Sequence, residues 1–331
     1  MKKPYISVII TAYNRKEFLK EAVNSVLNQT LDKDIYELIV IKNFITEFDQ
    51  EWKSRGIKLI YKPVGSIGDF LYTGVSHSRG SIISFLDDDD TFAKNKLKII
   101  YNEFSKNPSI VYYHNNCKVI YENKYIKRKN NNIITTNVKK RFFATASNIA
   151  SIYKFILLSA YFNLSSVAIK KELLLNNIKY LKKIISNPDD FFAYVAISSY
   201  GKILCDNHEL TNYRIHAKNT SISMNINVYN KGYYNYIKML PTFNELLMYN
   251  GYIVGAKVLN SKSIRFKIND IILNSKRRIK ITDLYHYIKD YSIPFLFYCK
   301  RIDLFLSLIF FSLLNKRKAQ KILAKRQGIN L

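Results

Sequence analysis

The chain is poor in several residue types, and each shortage excludes a class of protein. Three cysteines in 331 residues, Cys117, Cys205 and Cys299, lie far apart with no CxxC pair. That spacing excludes a disulfide scaffold and a structural zinc site and favours a reducing compartment. Ten glycines and six prolines are too few for a low-complexity or collagen-like chain. Acidic residues are half as numerous as basic ones, 25 against 52, and the formal net charge is +27. No long apolar run exists. The most apolar window, residues 304–314 (LFLSLIFFSLL), is about half the ~20 residues that cross a bilayer. A strand signal starts at Tyr5, which leaves no room for a signal peptide in this sequence.

What is present is a globular composition, 48% hydrophobic with 26 tyrosines and 20 phenylalanines. The positive charge is uneven. Residues 1–230 carry 33 Lys and Arg against 20 Asp and Glu, whereas residues 231–331 carry 19 against 5. The last third is therefore the basic third, and it attracts anionic lipid, nucleic acid or phosphorylated ligands. Basic clusters flank the 304–314 window at Lys300-Arg301 and Lys316-Arg317-Lys318, a pattern suited to a helix lying in a membrane interface. An ordinary core helix gives the same short run.

The scarce acidic residues are concentrated in one place. A β-branched and aromatic run, Ile82 to Leu86, ends in four consecutive aspartates, Asp87 to Asp90. Four like charges at the end of a buried strand repel one another. One or two of them can cap the helix expected from Lys94. The rest call for a hard divalent cation, Mg2+ or Mn2+, which takes carboxylate oxygens. The same four carboxylates argue against a nucleic-acid-binding protein, because they repel phosphate unless a cation intervenes.

Alternating strands and helices surround this block. Tyr5 to Thr11 reads as a buried parallel strand, followed by a helix from Arg15 to Leu27 with Phe18, Leu19, Ala22, Val23 and Val26 on one face. Strands follow at 36–41 and 58–61, around a polar helical stretch at 46–55, and a helix at 67–78 leads into the aspartate strand. This alternation specifies a doubly wound α/β sheet, whose ligands bind beyond the carboxyl ends of the strands. Those ends carry Thr11-Ala12-Tyr13-Asn14, Lys42-Asn43 and Asp87 to Asp90, and all three converge on one crevice. Further on, the pattern predicts helices at 94–105 and 141–158, strands at 110–113, 118–122, 165–169 and 202–205, and a basic loop at 127–132. Pro188-Asp189-Asp190 opens a helix running to Ser199. From about Asn230 the pattern is helical, Tyr-rich and without repeats.

Several of these stretches resemble one family. ISVIITAYNR (residues 6–15) with SVLNQT (residues 25–30) is similar to the N-terminal signature of family-2 glycosyltransferases of the GT-A fold. FLDDDD (residues 85–90) followed by Lys96-Leu97 resembles that family's DxD block, Asp189-Asp190 its later acidic pair, and Tyr213-Arg214-Ile215-His216 the segment that often closes its catalytic domain. The matches keep the family's order over residues 4–223. The resemblance implies a GT-A catalytic domain at residues 1–225, with a nucleotide-binding half (1–90) and an acceptor half (91–225), and a basic helical extension at 226–331.

It further implies inverting transfer of a sugar from a nucleotide-diphosphate donor to a hydroxyl on a lipid-linked glycan, glycoprotein or surface polysaccharide, with a divalent metal and no nucleic-acid partner. On this reading Asp89 is the direct metal ligand and Asp87 a second ligand or ribose contact, and His216 is a third ligand or a diphosphate donor. Asp190, with Asp189 in reserve, is the base that takes the acceptor's proton. Thr11, Ala12, Tyr13, Asn14, Asn43, Asp88, Arg79 and Arg214 line the donor site. Arg79 and Arg214 are assigned to the diphosphate. Lys42 departs from the pattern, because it puts a positive charge where many relatives carry a carboxylate for the nucleotide. The basic, apolar C-terminal third implies a cytoplasmic enzyme held peripherally on the inner face of an anionic membrane.

Overall fold

In a computed structural model of the chain, the described residues are 3–122, 136, 138–216, 219, 226–251, 317–318 and 320–322. They fall in two compact units, Met1–His216 and Ala217–Leu331.

The first unit is built on one sheet of nine strands: β1 (Ile6–Ala12), β2 (Tyr36–Lys42), β3 (Lys58–Tyr61), β4 (Ile82–Asp87), β5 (Thr91–Phe92), β6 (Ile110–Tyr121), β7 (Phe142–Ala144), β8 (Val167–Lys170) and β9 (Lys202–Ile215). Their order is β3-β2-β1-β4-β8-β6-β9-β5, with β7 paired to β9. The first half, β3-β2-β1-β4, is parallel. Beyond β4 the sheet turns mixed: β8 is antiparallel to β4 and β6, β9 is parallel to β6, and β5 and β7 are antiparallel to β9. Every residue of β1 is buried, as a strand covered on both faces requires.

Helices α1 (Leu19–Leu27), α2 (Asp49–Ser54), α3 (Ile67–His77), α4 (Lys96–Lys106), α5 (Ile149–Leu157), α6 (Lys171–Asn176), α7 (Ile178–Leu181) and α8 (Pro188–Ser198) complete this unit among the described residues. Ser66 and Asp69 form a reciprocal capping box at the start of α3. A cluster from β1, β2, α1, α2, α4 and β6, including Val8, Ile10, Val23, Val26, Val40, Trp52, Ile100 and Phe104, forms the core on one face.

One close approach sets the register that matters for the site. A Cβ on Gly80 would lie 2.6 Å from the backbone nitrogen of Ser7. The bare glycine lets its N–H donate to Ser7 Oγ at 2.8 Å. β4 then pairs with β1 so that Asp87 stands beside Thr11, while Ala12 stands beside Lys42 of β2. The carboxyl ends of three parallel strands are level.

The structure departs from the sequence pattern in three places. α1 begins at Leu19 rather than Arg15, because Asn14 takes a left-handed φ of 56° and the chain turns before the helix starts. Residues 141–158 are a short strand and a helix, with the Asn148 side chain capping α5 through Ser151 N–H. The strand signals at 110–113 and 118–122 are one strand, β6, carried across residues 114–116 by irregular register against β9. In the second unit the described residues include helix α9 (Ile226–Tyr249), which contains Pro241. Residues 127–132 and 304–314 lie outside the described residues. Among the described residues no helix is long and apolar enough to cross a membrane.

Candidate active site

Beyond the carboxyl ends of β1, β2 and β4, two loops are clasped to each other. Asn43 Oδ1 accepts from Asn14 N–H at 2.8 Å, and Asn43 Nδ2 donates to Asn14 Oδ1 at 2.7 Å. This double hydrogen bond depends on Asn14 holding the left-handed conformation that asparagine tolerates. Thr11 and Ala12 are buried at the strand end, and Tyr13 is half exposed with its ring edge-on to Phe70.

The four aspartates have different surroundings. Asp87 ends β4, and its N–H donates to Ser165 Oγ. Asp88 turns into a fork with Arg15, accepting from Nε at 3.2 Å and from the terminal NH2 group. Asp89 Oδ2 faces His216 Nε2 at 2.9 Å and the Arg15 terminal nitrogen at 2.8 Å. Asp90 is buried and accepts from Asn163 Nδ2 and from the backbone N–H of Arg214. Asp87, Asp89 and Asp90 each offer a carboxylate oxygen within 4.8 Å of the others. Burial, followed by mutual repulsion, pushes the Asp87 pKa well above the carboxylate range and that of Asp90 to about 7. Burial also raises Asp88 to about 6, against the pull of Arg15. Three mutually repelling, largely buried oxygen donors suit a hard divalent cation.

Two charged side chains that the sequence pattern leaves without a role belong to this cluster. Arg15 bridges Asp88, Asp89 and His216, with its second terminal nitrogen 3.3 Å from His216 Nε2. Burial opposes its charge, but the Asp88 hydrogen bond and the three nearby carboxylates outweigh it and push its pKa up. Lys96 is fully buried at the start of α4. Its Nζ donates to Ser165 O and to Thr211 Oγ1 and sits 3.9 Å above the Phe92 ring. Burial drives its pKa well below the usual lysine value, with the charge of Asp90 working the other way. In sequence, Arg15 reads as a helix start and Lys96 only as part of the stretch that follows the aspartates. Only the fold brings them under the aspartates.

Other residues lie where the sequence reading did not put them. Arg79 is at the opposite edge of the sheet. Its Nε and backbone N–H both donate to Glu37 near the start of β2, and it precedes β4 by two residues while the aspartates follow that strand. It is too far from the crevice to reach a diphosphate there. Arg214 is near the aspartates, yet its guanidinium is engaged by Glu21 and by the Asp89 carbonyl oxygen and stacks on Phe18. It serves as a brace. Lys42 does not present its charge to the aspartates: it is 2% exposed, and its Nζ binds both oxygens of Asp49 at 2.5 and 2.7 Å and Phe44 O at 3.0 Å. The carboxylate of Asp49, itself held by Thr46, cancels the charge reversal.

Asp189 and Asp190 lie in the first turn of α8, Asp190 buried and Asp189 half buried. Phe192, two residues further on, stacks on Phe85 of β4 with ring centroids 4.4 Å apart. That stack fixes the start of α8 against the strand that carries the aspartates. The charges of both carboxylates help raise the pKa of the buried Tyr112 hydroxyl, after burial itself and Cys205.

A nucleotide-type parallel half-sheet, an acidic block at the end of its fourth strand and a mixed second half define a glycosyltransferase of the GT-A fold. Among solved structures, S. aureus TarS 1–349 in complex with UDP has the same fold, with a TM-score of 0.59 and 14% identity over 98% of this chain and 92% of that one. Residues 7–162, just under half of the chain, match the family model described as glycosyl transferase family 2. An uncharacterized glycosyltransferase of Rickettsia bellii is 26% identical over 283 residues, 84% of this chain and 36% of its own length. One from Rickettsia prowazekii is 25% identical over 286 residues, 85% of each chain. The chain thus spans about a third of the first relative and most of the second.

Proposed function

We propose that the chain transfers a sugar, with inversion, from a nucleotide-diphosphate sugar to a hydroxyl acceptor, in a divalent-metal-dependent reaction. The observation that carries this reading is the cluster of Asp87, Asp89 and Asp90 at the carboxyl edge of the parallel half-sheet, with His216 against Asp89. Asp89 and Asp87, with His216 as a third ligand, would hold a Mg2+ or Mn2+ ion, which would supply positive charge against the leaving diphosphate. The Asn14–Asn43 clasp shapes the floor on which the nucleoside rests, and Thr11, Ala12 and Tyr13 flank it. Arg214 N–H and Asn163 hold Asp90 rigid, so the acidic turn is preorganised. Asp190 takes the proton from the attacking hydroxyl, fixed by the first turn of α8 and the Phe85–Phe192 stack beneath it.

UDP, which TarS binds, is the nucleotide to try first. The acceptor we propose is a lipid-linked glycan or surface polymer, and the basic last third of the chain is proposed to rest on the cytoplasmic face of an anionic membrane. The catalytic reading is tested by calorimetry and turnover on Asp190→Asn. Donor is expected to bind within about threefold of wild type while transfer falls by about a thousandfold or more. Loss of donor binding in this variant contradicts the base assignment. Flotation of full-length protein with liposomes containing anionic lipid, against a chain ending at residue 225, tests the membrane reading, and equal flotation contradicts it.

A further inference from the structure

We infer that Arg15 is a resident counter-charge of the metal site: it holds Asp89 and His216 in competition with a divalent cation and turns to the donor's diphosphate once the cation is in place. The inference rests on the metal reading proposed above. Two of the three proposed ligands, Asp89 and His216, meet the same guanidinium. One terminal nitrogen lies 2.8 Å from Asp89 Oδ2 and the other 3.3 Å from His216 Nε2. A cation on those atoms and a guanidinium on those atoms exclude each other by charge and by space.

Arg15 also has an anchor that such an exchange leaves alone. The terminal nitrogen that meets Asp89 also forms, with Nε, a fork with Asp88, which lies outside the Asp87, Asp89 and Asp90 cluster, so the side chain stays tethered when Asp89 is taken by a cation. The side chain is 19% exposed and sits on the turn between β1 and α1, whereas His216 and Asp88 are nearly closed off at 2% and 5%. Released from Asp89 and His216 but still tethered to Asp88, the partly exposed guanidinium is free to meet the diphosphate, and its planar fork suits phosphate oxygens.

The two halves of this role predict shifts of opposite sign, which a merely structural residue does not give. In Arg15→Gln, Mn2+ alone, titrated by calorimetry or by the free-ion EPR signal, is expected to bind about tenfold tighter. Inorganic pyrophosphate at saturating Mn2+ is expected to bind about tenfold more weakly. Mn2+ affinity unchanged or weakened, or pyrophosphate affinity unchanged, overturns the inference. If Arg15→Gln does not fold, Arg15→Lys decides. One ammonium cannot bridge Asp88, Asp89 and His216 together, so Mn2+ is expected to tighten about threefold while pyrophosphate binding stays close to wild type. No tightening overturns the inference. Mn2+ binding to neither wild type nor variant defeats the metal reading itself, whereas equal Mn2+ binding to both defeats only the role of Arg15.

Discussion

His216 Nε2 lies 2.9 Å from Asp89 Oδ2, joining the end of β9 to the aspartate block across 127 residues of sequence. β6 separates β9 from β8, and β8 pairs with β4, so the contact forms only when the mixed half of the sheet has closed on the parallel half. Replacing His216 by Ala is expected to raise the Mn2+ concentration for half-maximal activity by about 10–100-fold and to change donor KM at saturating Mn2+ by much less. Equal effects on both constants point to general disruption instead.

Lys42 and Asp49 form a partly buried pair that has taken over the place of an expected carboxylate. Lys42→Met leaves Asp49, whose pKa the pair holds low, without its cation. Stability is expected to drop by about 1–3 kcal/mol in urea unfolding. Preference between uridine and guanosine diphosphates is expected to stay the same, since the Lys42 charge is spent on Asp49. A change of nucleotide preference with no loss of stability means that Lys42 faces the donor.

Lys96 ties Ser165 and Thr211 together beneath the acidic turn. Lys96→Met keeps the bulk and the apolar stem but takes the buried Nζ donor from the Ser165 carbonyl and the Thr211 hydroxyl, leaving them their bond to each other and Thr211 its bond from Asn115 Nδ2, so a loss of about 1–3 kcal/mol is expected. Mn2+ affinity is expected to fall as well, because Ser165 also receives the Asp87 N–H and is displaced. Calorimetric Mn2+ titration beside urea unfolding separates the two effects.

His114 gives a pH dependence of defined sign. It is fully buried, its Nε2 donates to Phe162 O, and its Nδ1 has no partner among the described residues. Burial lowers its pKa from 6.5 to about 4. Between pH 6.5 and 4 the unfolded chain therefore binds the proton and the folded chain does not, so His114 makes the protein less stable as pH falls through that window. The melting temperature of His114→Asn is expected to lie below wild type at pH 7.5 and to close the gap, or cross it, by pH 4.5. A constant gap across the range contradicts a buried neutral imidazole.

The parallel half of the fold was legible because its residues decide locally. Near-continuous apolar strands, helical spacing in α1 and the Ser66–Asp69 box all act within a few residues. The acidic block was legible for the same reason, since no local structure tolerates four adjacent aspartates. The mixed half was less so. The bulged register of β6 against β9 depends on a partner about ninety residues away, and sequence alone split one strand into two. Arg79 and Lys42 show the other limit. Their types fit the crevice, but their partners, Glu37 and Asp49, come from long-range register and from a side-chain turn that no spacing rule encodes. Arg15 carried a family-like position without a role, and only its three-way contact gives it one.

Nucleotide release from a panel of sugar nucleotides, with Mn2+ or with EDTA, on wild type and Asp89→Asn, tests the central claim most directly. The account predicts release from at least one donor with Mn2+, its loss in EDTA, and a loss of about a hundredfold or more in the variant with the fold intact. Release that is indifferent to EDTA and to Asp89→Asn, or no release from any donor, would contradict it.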